Sequence, residues 1–376
     1  MKPSPVLTGL RTYPFLRLTD AKRALVARGV EVVDFGVGEP REDTPRFIRE
    51  RLAAALEPRS TYPLAEGLPV LREAVTDWIA RRFGPSLDPD TEVVPTFGSK
   101  EAIFHLAQVV GGDLVALTAP GYPVAERGAA FAGKQVLELP LAAERGFLPD
   151  LDAVPPETWE RVSVLWLNYP NNPTAAVAPR SLYERAAELA REHGFVVASD
   201  EAYSEIYFGD EPPVSALELA DLSGVAVFNT LSKRSSMPGY RSGFVAGDPQ
   251  LIALLKRYRP NVGVAPQEFI QRAAAAAWSD EAHVERVRAS YRAKRDALLG
   301  VLESHGLRSA GGDATFFLWL DAGPGADTLA DRLLADGIVL APGSFFGPAG
   351  AGYLRLALVP TLAECERAAD RLAELL

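Results

Sequence analysis

Between about residues 90 and 250 one pattern repeats: a short apolar run, then a longer stretch whose apolar positions recur at helical spacing. The runs are Glu92–Phe97, Asp113–Thr118, Lys134–Leu139, Val162–Leu167, Phe195–Ser199, Val225–Asn229 and Gly243–Ala246. They are nearly all apolar and do not alternate cleanly, which is the pattern of strands covered on both faces in a mostly parallel sheet. The alternation predicts an α/β fold whose large domain has three layers, α/β/α, around a mostly parallel seven-stranded sheet. Ligands of such sheets bind beyond the carboxyl ends of the strands, so the residues just after each run are the candidates for chemistry.

Helices are expected at Leu68–Phe83, ending at Gly84, and at Arg180–His193, ending at Gly194. From Pro266 to His305 the chain reads as helical with a break near Trp278–Glu281, and the run Ala273–Ala277 reads simply as good helix-forming sequence. Beyond Gly311 the pattern becomes short strands at Ala314–Leu320, Ile338–Leu340 and Tyr353–Val359, with helices near Thr328–Ala335 and from Leu362. This predicts a smaller α+β domain, residues 251–376 completed by residues 1–44, beside a large domain of residues 45–250.

Composition narrows the class. With 48% hydrophobic and 23% charged residues the chain is a folding one, and its 376 residues suit two or three structural units. The net charge of -10 argues against a nucleic-acid partner held by a general basic surface. One cysteine, Cys365, excludes an internal disulfide framework and multi-cysteine zinc, and fits a reducing compartment. No apolar stretch is long enough for a membrane helix, and Met1–Arg11 lacks the order of a secretion signal, so a cytoplasmic protein without a membrane partner is expected. His105, His193, His283 and His305 show no metal-ligand spacing, no metal is expected, and a solvated or capping role is expected for each.

Several strand ends carry candidate chemistry. Asp200, at the end of the run Phe195–Ser199 in Val196-Val197-Ala198-Ser199-Asp200-Glu201-Ala202-Tyr203, is costly to ionise unless a cation or a donor faces it, although a helix-capping aspartate is an alternative. Asn172 lies in the turn Asn168-Tyr169-Pro170-Asn171-Asn172-Pro173-Thr174, where it either donates to a ligand oxygen or serves the turn alone. Lys233, in Asn229-Thr230-Leu231-Ser232-Lys233, is a candidate amine nucleophile or a solvated lysine. Phe97-Gly98-Ser99-Lys100 passes from strand to helix in a way that suits a phosphate but is also common. Arg355, a charge inside an apolar strand, suits a substrate carboxylate or an internal salt bridge.

The order of these parts resembles the fold-type I pyridoxal-phosphate aminotransferases of class I/II, from Gly38-Glu39-Pro40 to Arg355. The resemblance implies pyridoxal 5'-phosphate as cofactor and amino acids with 2-oxo acids as substrates. By it, Lys233 forms the Schiff base and carries the substrate α-proton, Asp200 pairs with the ring nitrogen, and Asn172 and Tyr203 bond the ring 3-oxygen. Backbone groups of Ser99 and Lys100, with Thr230 and Arg241, hold the phosphate, and Tyr122 stacks on the ring. Arg355 clamps the substrate α-carboxylate with Gly38 nearby, while Tyr62 resembles the tyrosine that reaches the neighbouring subunit's phosphate, implying a homodimer with shared sites. One departure is visible: Ala175 stands where the family has glycine after Asn-Pro-Thr, which puts the turn geometry in question.

Within the family, Tyr13-Pro14-Phe15, Gly38-Glu39-Pro40, Thr44–Ile48 and Ser232–Phe244 are similar to N-succinyldiaminopimelate aminotransferases of lysine synthesis, which use glutamate and 2-oxoglutarate. The alternatives are an aspartate or broad-range aminotransferase, or a β-lyase on the same fold. A transcription regulator of this fold is disfavoured, because the roughly 40 residues before Pro40 leave no room for a DNA-binding module.

Overall fold

The computed structural model describes residues 1–9, 15–59 and 61–376, so Tyr13 and Pro14 of the motifs above lie outside the described residues. Seven strands make the main sheet: β1 Val93–Thr96, β2 Leu114–Ala119, β3 Gln135–Pro140, β4 Val162–Asn168, β5 Val196–Asp200, β6 Val225–Thr230 and β7 Gly243–Gly247. Their spatial order is β1-β7-β6-β5-β4-β2-β3. Strands β2 to β6 pair in parallel, and β7 runs antiparallel to both its neighbours.

The absence of alternation in the sequence has a packing cause. Along β4, Leu165 and Leu167 enter a core shared with Leu182 and Ala186 of the helix Arg180–His193. Val164 and Trp166 enter a second core with Ile103 of Ser99–Val109 and Ile252 of Pro249–Tyr258. The two-residue period is therefore present, but both sides are apolar because helices cover both faces. The edge strand β3 differs: Gln135, Glu138 and Pro140 are exposed, so it is covered less fully than its neighbours. Helices stop where the glycines predict. Gly84 (φ 98) and Gly194 (φ 77) adopt the left-handed conformation and donate their N–H groups to the Ala80 and Ala190 carbonyls.

The smaller α+β unit is a four-stranded antiparallel sheet, in the order Ala341–Pro342, Tyr353–Ala357, Phe317–Asp321, Arg308–Ser309, with the helices Ala282–Ser304 and Leu362–Leu375 packed together beside it. Val33–Asp34 pairs in parallel with Ile338–Val339, which ties the N-terminal segment to this unit. Among the described residues, no helix is long and apolar enough to cross a membrane.

Helix Glu268–Trp278 packs on Arg46–Ala54 and Pro69–Phe83, in the core of the large sheet. Its alanine run is thus more than helix-forming sequence: Ala273, Ala274, Ala275 and Ala277 are buried, and small side chains let the helices approach closely. Trp278 ends this helix against Trp78 (ring centroids 4.6 Å apart) and Phe244 of β7 (5.2 Å). Truncating Trp278→Ala should lower unfolding stability by about 3–5 kcal/mol, the range for buried aromatic deletions. Urea unfolding measures it, and a loss under about 1 kcal/mol would show that this contact does not join the layers.

Candidate active site

The carboxyl ends of β1, β4, β5 and β6 and the amino end of β7 meet at one cavity of ≈ 470 Å³. Strand register levels them: Asn168 lies opposite Asp200, and Thr96 and Thr230 both lie opposite Gly243. Because β7 runs antiparallel, the chain enters it at the same edge, which places Arg241 beside residues that leave the other strands. Of the twelve residues singled out in the sequence, eleven line this cavity: Gly38, Ser99, Lys100, Tyr122, Asn172, Asp200, Tyr203, Thr230, Lys233, Arg241 and Arg355. Asn168, Ser232, Phe317 and Phe346 line it too and carried no sequence signal of their own.

Lys233 stands on the single helical turn Leu231–Arg234, capped by the Thr230 hydroxyl, which accepts from the Ser232 N–H (3.1 Å). Its Nζ donates to the Gly38 carbonyl (3.0 Å) and lies 5.3 Å from the Phe316 ring centroid. Burial, reinforced by the Arg355 charge, pushes this amine down to about 8. Asp200 is buried and receives a long bond from the Ala202 N–H (3.3 Å). Burial pushes its carboxyl up to about 7, only partly offset by that N–H and by Lys233. Both groups therefore sit near neutrality, where each can hold or release a proton.

A cationic cradle faces them. Gly98 adopts φ 71, a conformation that favours glycine, and a Cβ there would lie 2.5 Å from Arg241 Nη2 and push the guanidinium aside. The helix Ser99–Val109 begins immediately after it with no side-chain cap, leaving its first N–H groups turned to the cavity end. Arg241 Nη1 donates to the Pro238 carbonyl (2.8 Å). Burial and then the Arg241 and Arg127 charges hold the Lys100 amine below its ordinary value, which marks a site of positive potential suited to an anion. Thr230 contributes as well, although its hydroxyl also bonds the Ser242 carbonyl (2.9 Å).

Across the cavity Arg355 crosses between the two units. Its Nη1 donates to Asn172 Oδ1 (2.9 Å) and its Nη2 to the Gly36 carbonyl (2.7 Å), with the guanidinium 4.3 Å from the Phe317 ring centroid. Asn168 organises the floor: its Oδ1 accepts from the Asn172 N–H (3.0 Å) and its Nδ2 donates to the Asp200 carbonyl (2.9 Å). Ala175 adopts φ 60, the left-handed region that glycine favours, and still closes the turn by donating its N–H to the Asn171 carbonyl (2.8 Å). The alanine keeps the geometry at the cost of some strain. Ala175→Val should therefore lower the thermal midpoint clearly, since a β-branched residue fits this region worse; an unchanged midpoint would contradict the strain.

One sequence expectation is corrected, that for His283, and Tyr62 alone of the twelve residues lies off the cavity. Tyr62 is away from the cavity, 99% exposed, beside Leu56 and Phe269 around a second, open cavity of ≈ 900 Å³. His283 is neither solvated nor merely a cap: it is 1% exposed and bonded through both ring nitrogens, because the chain folds Ser235 against one side and Asp280 against the other.

Comparison with known proteins gives the class. Residues 30–372 match the family described as "Aminotransferase class I and II", and the chain belongs to it. It is a pyridoxal-phosphate-dependent aminotransferase of the fold-type I group, acting on amino and 2-oxo acids. More particularly, it is 38% identical over 380 residues to the LL-diaminopimelate aminotransferase of Nitratidesulfovibrio vulgaris, covering 98% of each chain. The crystal structure of an aminotransferase from Neisseria meningitidis superposes with a TM-score of 0.91 at 35% identity, covering 99% of each chain. A Thermus thermophilus structure named as a probable N-succinyldiaminopimelate aminotransferase matches with a TM-score of 0.89 at 33% identity, covering 96% of this chain and 100% of that one.

The shifted groups set signs that can be measured. Lys233 has a folded value of about 8 against an ordinary 10.5, so the unfolded chain binds more protons between those pH values and this lysine's contribution to stability rises with pH there. Asp200, about 7 against 3.8, acts oppositely: its contribution is present below about 4 and is lost as pH rises through 7. Reductive methylation of the apoprotein, read by mass spectrometry of the Lys233 peptide, should rise with a midpoint near 8. In Arg355→Gln that midpoint should move upward, because the largest neighbouring positive charge is gone. A parent midpoint near 10.5 would contradict the burial argument.

Proposed function

We propose that this aminotransferase takes the amino group of a 2,6-diaminopimelate and passes it to 2-oxoglutarate. The observation that carries the reading is the single cavity holding the Lys233 amine, the Asp200 carboxyl and two guanidinium groups, Arg241 and Arg355. Pyridoxal phosphate fits these groups. Asp200 is a buried carboxyl in want of a cation, as the protonated ring nitrogen is, and the glycine-backed cradle of Ser99, Lys100, Thr230 and Arg241 suits a phosphate. When bound, the cofactor supplies an aldehyde that captures amines and a ring that draws electrons from the substrate α-carbon.

The side chains divide the work. Asp200 would hold the ring-nitrogen proton, Asn172 and Tyr203 would orient the ring through its 3-oxygen, and Tyr122 would stack on it. Arg355, with the Gly38 backbone beside it, clamps the α-carboxylate by its planar fork. Lys233, poised near neutrality, takes the proton from the substrate α-carbon at Nζ and holds it for return. The apolar rings of Phe316, Phe317 and Phe346 keep the surroundings of these charges dry.

The substrate class is supported by the Nitratidesulfovibrio relative, named for LL-diaminopimelate, and by the Thermus structure, named for the N-succinyl form. The N-succinylated donor was the first expectation from the sequence, and the free LL donor now stands beside it. We propose also a homodimer in which the exposed Tyr62 enters the partner's site, and a cytoplasmic enzyme without nucleic-acid or membrane partners. The division into residues 45–250 and residues 1–44 with 251–376 stands as a proposal, with Pro249–Tyr258 and Glu268–Trp278 carried on the large side by their packing.

Purified protein should be yellow, and Lys233→Ala should lose transaminase turnover by at least about a thousandfold. With 2-oxoglutarate as acceptor, one of the two diaminopimelate forms should exceed aspartate in kcat/KM by about tenfold or more, a modest binding difference. Aspartate leading both would overturn the substrate reading, and pyruvate with ammonia from a sulfur amino acid would indicate the β-lyase. Mixing Lys233→Ala with Tyr62→Ala subunits should restore activity that neither has alone, since one mixed site then keeps both residues. No recovery on mixing would place Tyr62 in its own subunit's chemistry.

A further inference from the structure

The turn that carries Lys233 is too short to hold itself. A single helical turn is marginal in isolation, so the position of its amine depends on what grips its two ends. Thr230 grips the amino end. At the carboxyl end, Ser235 donates its N–H to the Leu231 carbonyl (3.2 Å) and so closes the turn. Its hydroxyl lies 2.8 Å from His283 Nε2, and His283 Nδ1 lies 2.7 Å from Asp280 Oδ1. Ser235 and His283 are buried. His283 Nδ1 keeps its proton and donates it in a hydrogen bond to the carboxylate, which leaves Nε2 as the acceptor of the Ser235 hydroxyl. Burial also pushes the imidazole down to about 4, which keeps it neutral and preserves that acceptor.

Arg234, between Lys233 and Ser235, is gripped at the same place. Its guanidinium is buried, 4.6 Å from the Trp278 ring centroid and 5.2 Å from that of Trp78, and it donates to Glu281 Oε1 (2.7 Å). Both grips therefore land on the junction between Glu268–Trp278 and Ala282–Ser304. Downstream, Ser236 and Arg241 adopt φ 48 and φ 54, so the backbone between the amine and the Arg241 clamp twice enters a region that side chains disfavour. Such a segment keeps its shape only if its surroundings over-determine it.

We propose that Ser235, acting through His283 and Asp280, is a positioning residue that sets the Lys233 amine against the Arg241 clamp. The proposal rests on the reading of Lys233 as the cofactor amine. Neither Ser235 nor His283 lines the cavity, so their effect must travel through the turn.

The test uses the dimeric holoenzyme and three variants, Ser235→Ala, His283→Leu and His283→Gln. In Ser235→Ala and His283→Leu the dissociation constant of pyridoxal phosphate should rise about tenfold, the scale of one buried hydrogen bond. The pH midpoint of the bound cofactor's visible band should move by about half a unit or more, and kcat should fall about tenfold with KM for the amino donor within about twofold. His283→Gln keeps an acceptor near the Nε2 position and should return all three towards the parent. If the alanine variant does not fold, the leucine and glutamine pair gives the same comparison. A lower thermal midpoint with unchanged cofactor affinity, band and kcat would overturn the proposal and assign these residues to stability alone. The Lys233 reading fails separately, if Lys233→Ala keeps the visible band.

Discussion

A parallel sheet buried on both faces has one place where polar side chains can gather without being entombed, and that is the edge where strands end. Asp200, Lys233 and Arg241 come together at this site by that constraint. The faces of β4, β5 and β6 are filled by Leu165, Trp166, Val197, Ala198 and Phe228, so the first polar side chains after those strands are delivered together to the carboxyl edge. The antiparallel β7 adds Arg241 to the same edge by entering where its neighbours leave.

Burial then decides the chemistry of what has been gathered. Asp200 and Lys233 would ionise fully in water, and the edge of the core moves them towards each other on the pH scale. Neither shift is caused mainly by the other residue. Each comes first from lost solvation, which is why the pair stays responsive to a ligand that brings its own charge. The smaller unit closes the arrangement: Arg355 reaches from its sheet to Asn172 on the other side, joining the two halves through a hydrogen bond to an amide oxygen. That bond orients the guanidinium through a neutral acceptor.

Much of this was legible in the residues. Seven apolar runs became seven strands, the glycine-terminated helices stopped where expected, and Ala175 was marked as the one unusual turn residue, which its positive φ bears out. Asn168 was not legible, because its function is to bond the Asn172 N–H and the Asp200 carbonyl, and nothing about an asparagine in a turn announces a backbone partner on the next strand. His283 was misread for a similar reason: its partners Ser235 and Asp280 come together only when the turn after β6 meets the helix junction.

The sequence by itself determined the strands and the order of polar groups along the chain, because those depend on local pattern and on position relative to strand ends. Tertiary structure alone decided the shift of Lys233 down and of Asp200 up towards neutral pH, the bond between Arg355 and Asn172, and the outward placement of Tyr62. These depend on solvent exclusion and on distances between segments far apart in the chain. Local pattern carries no record of either.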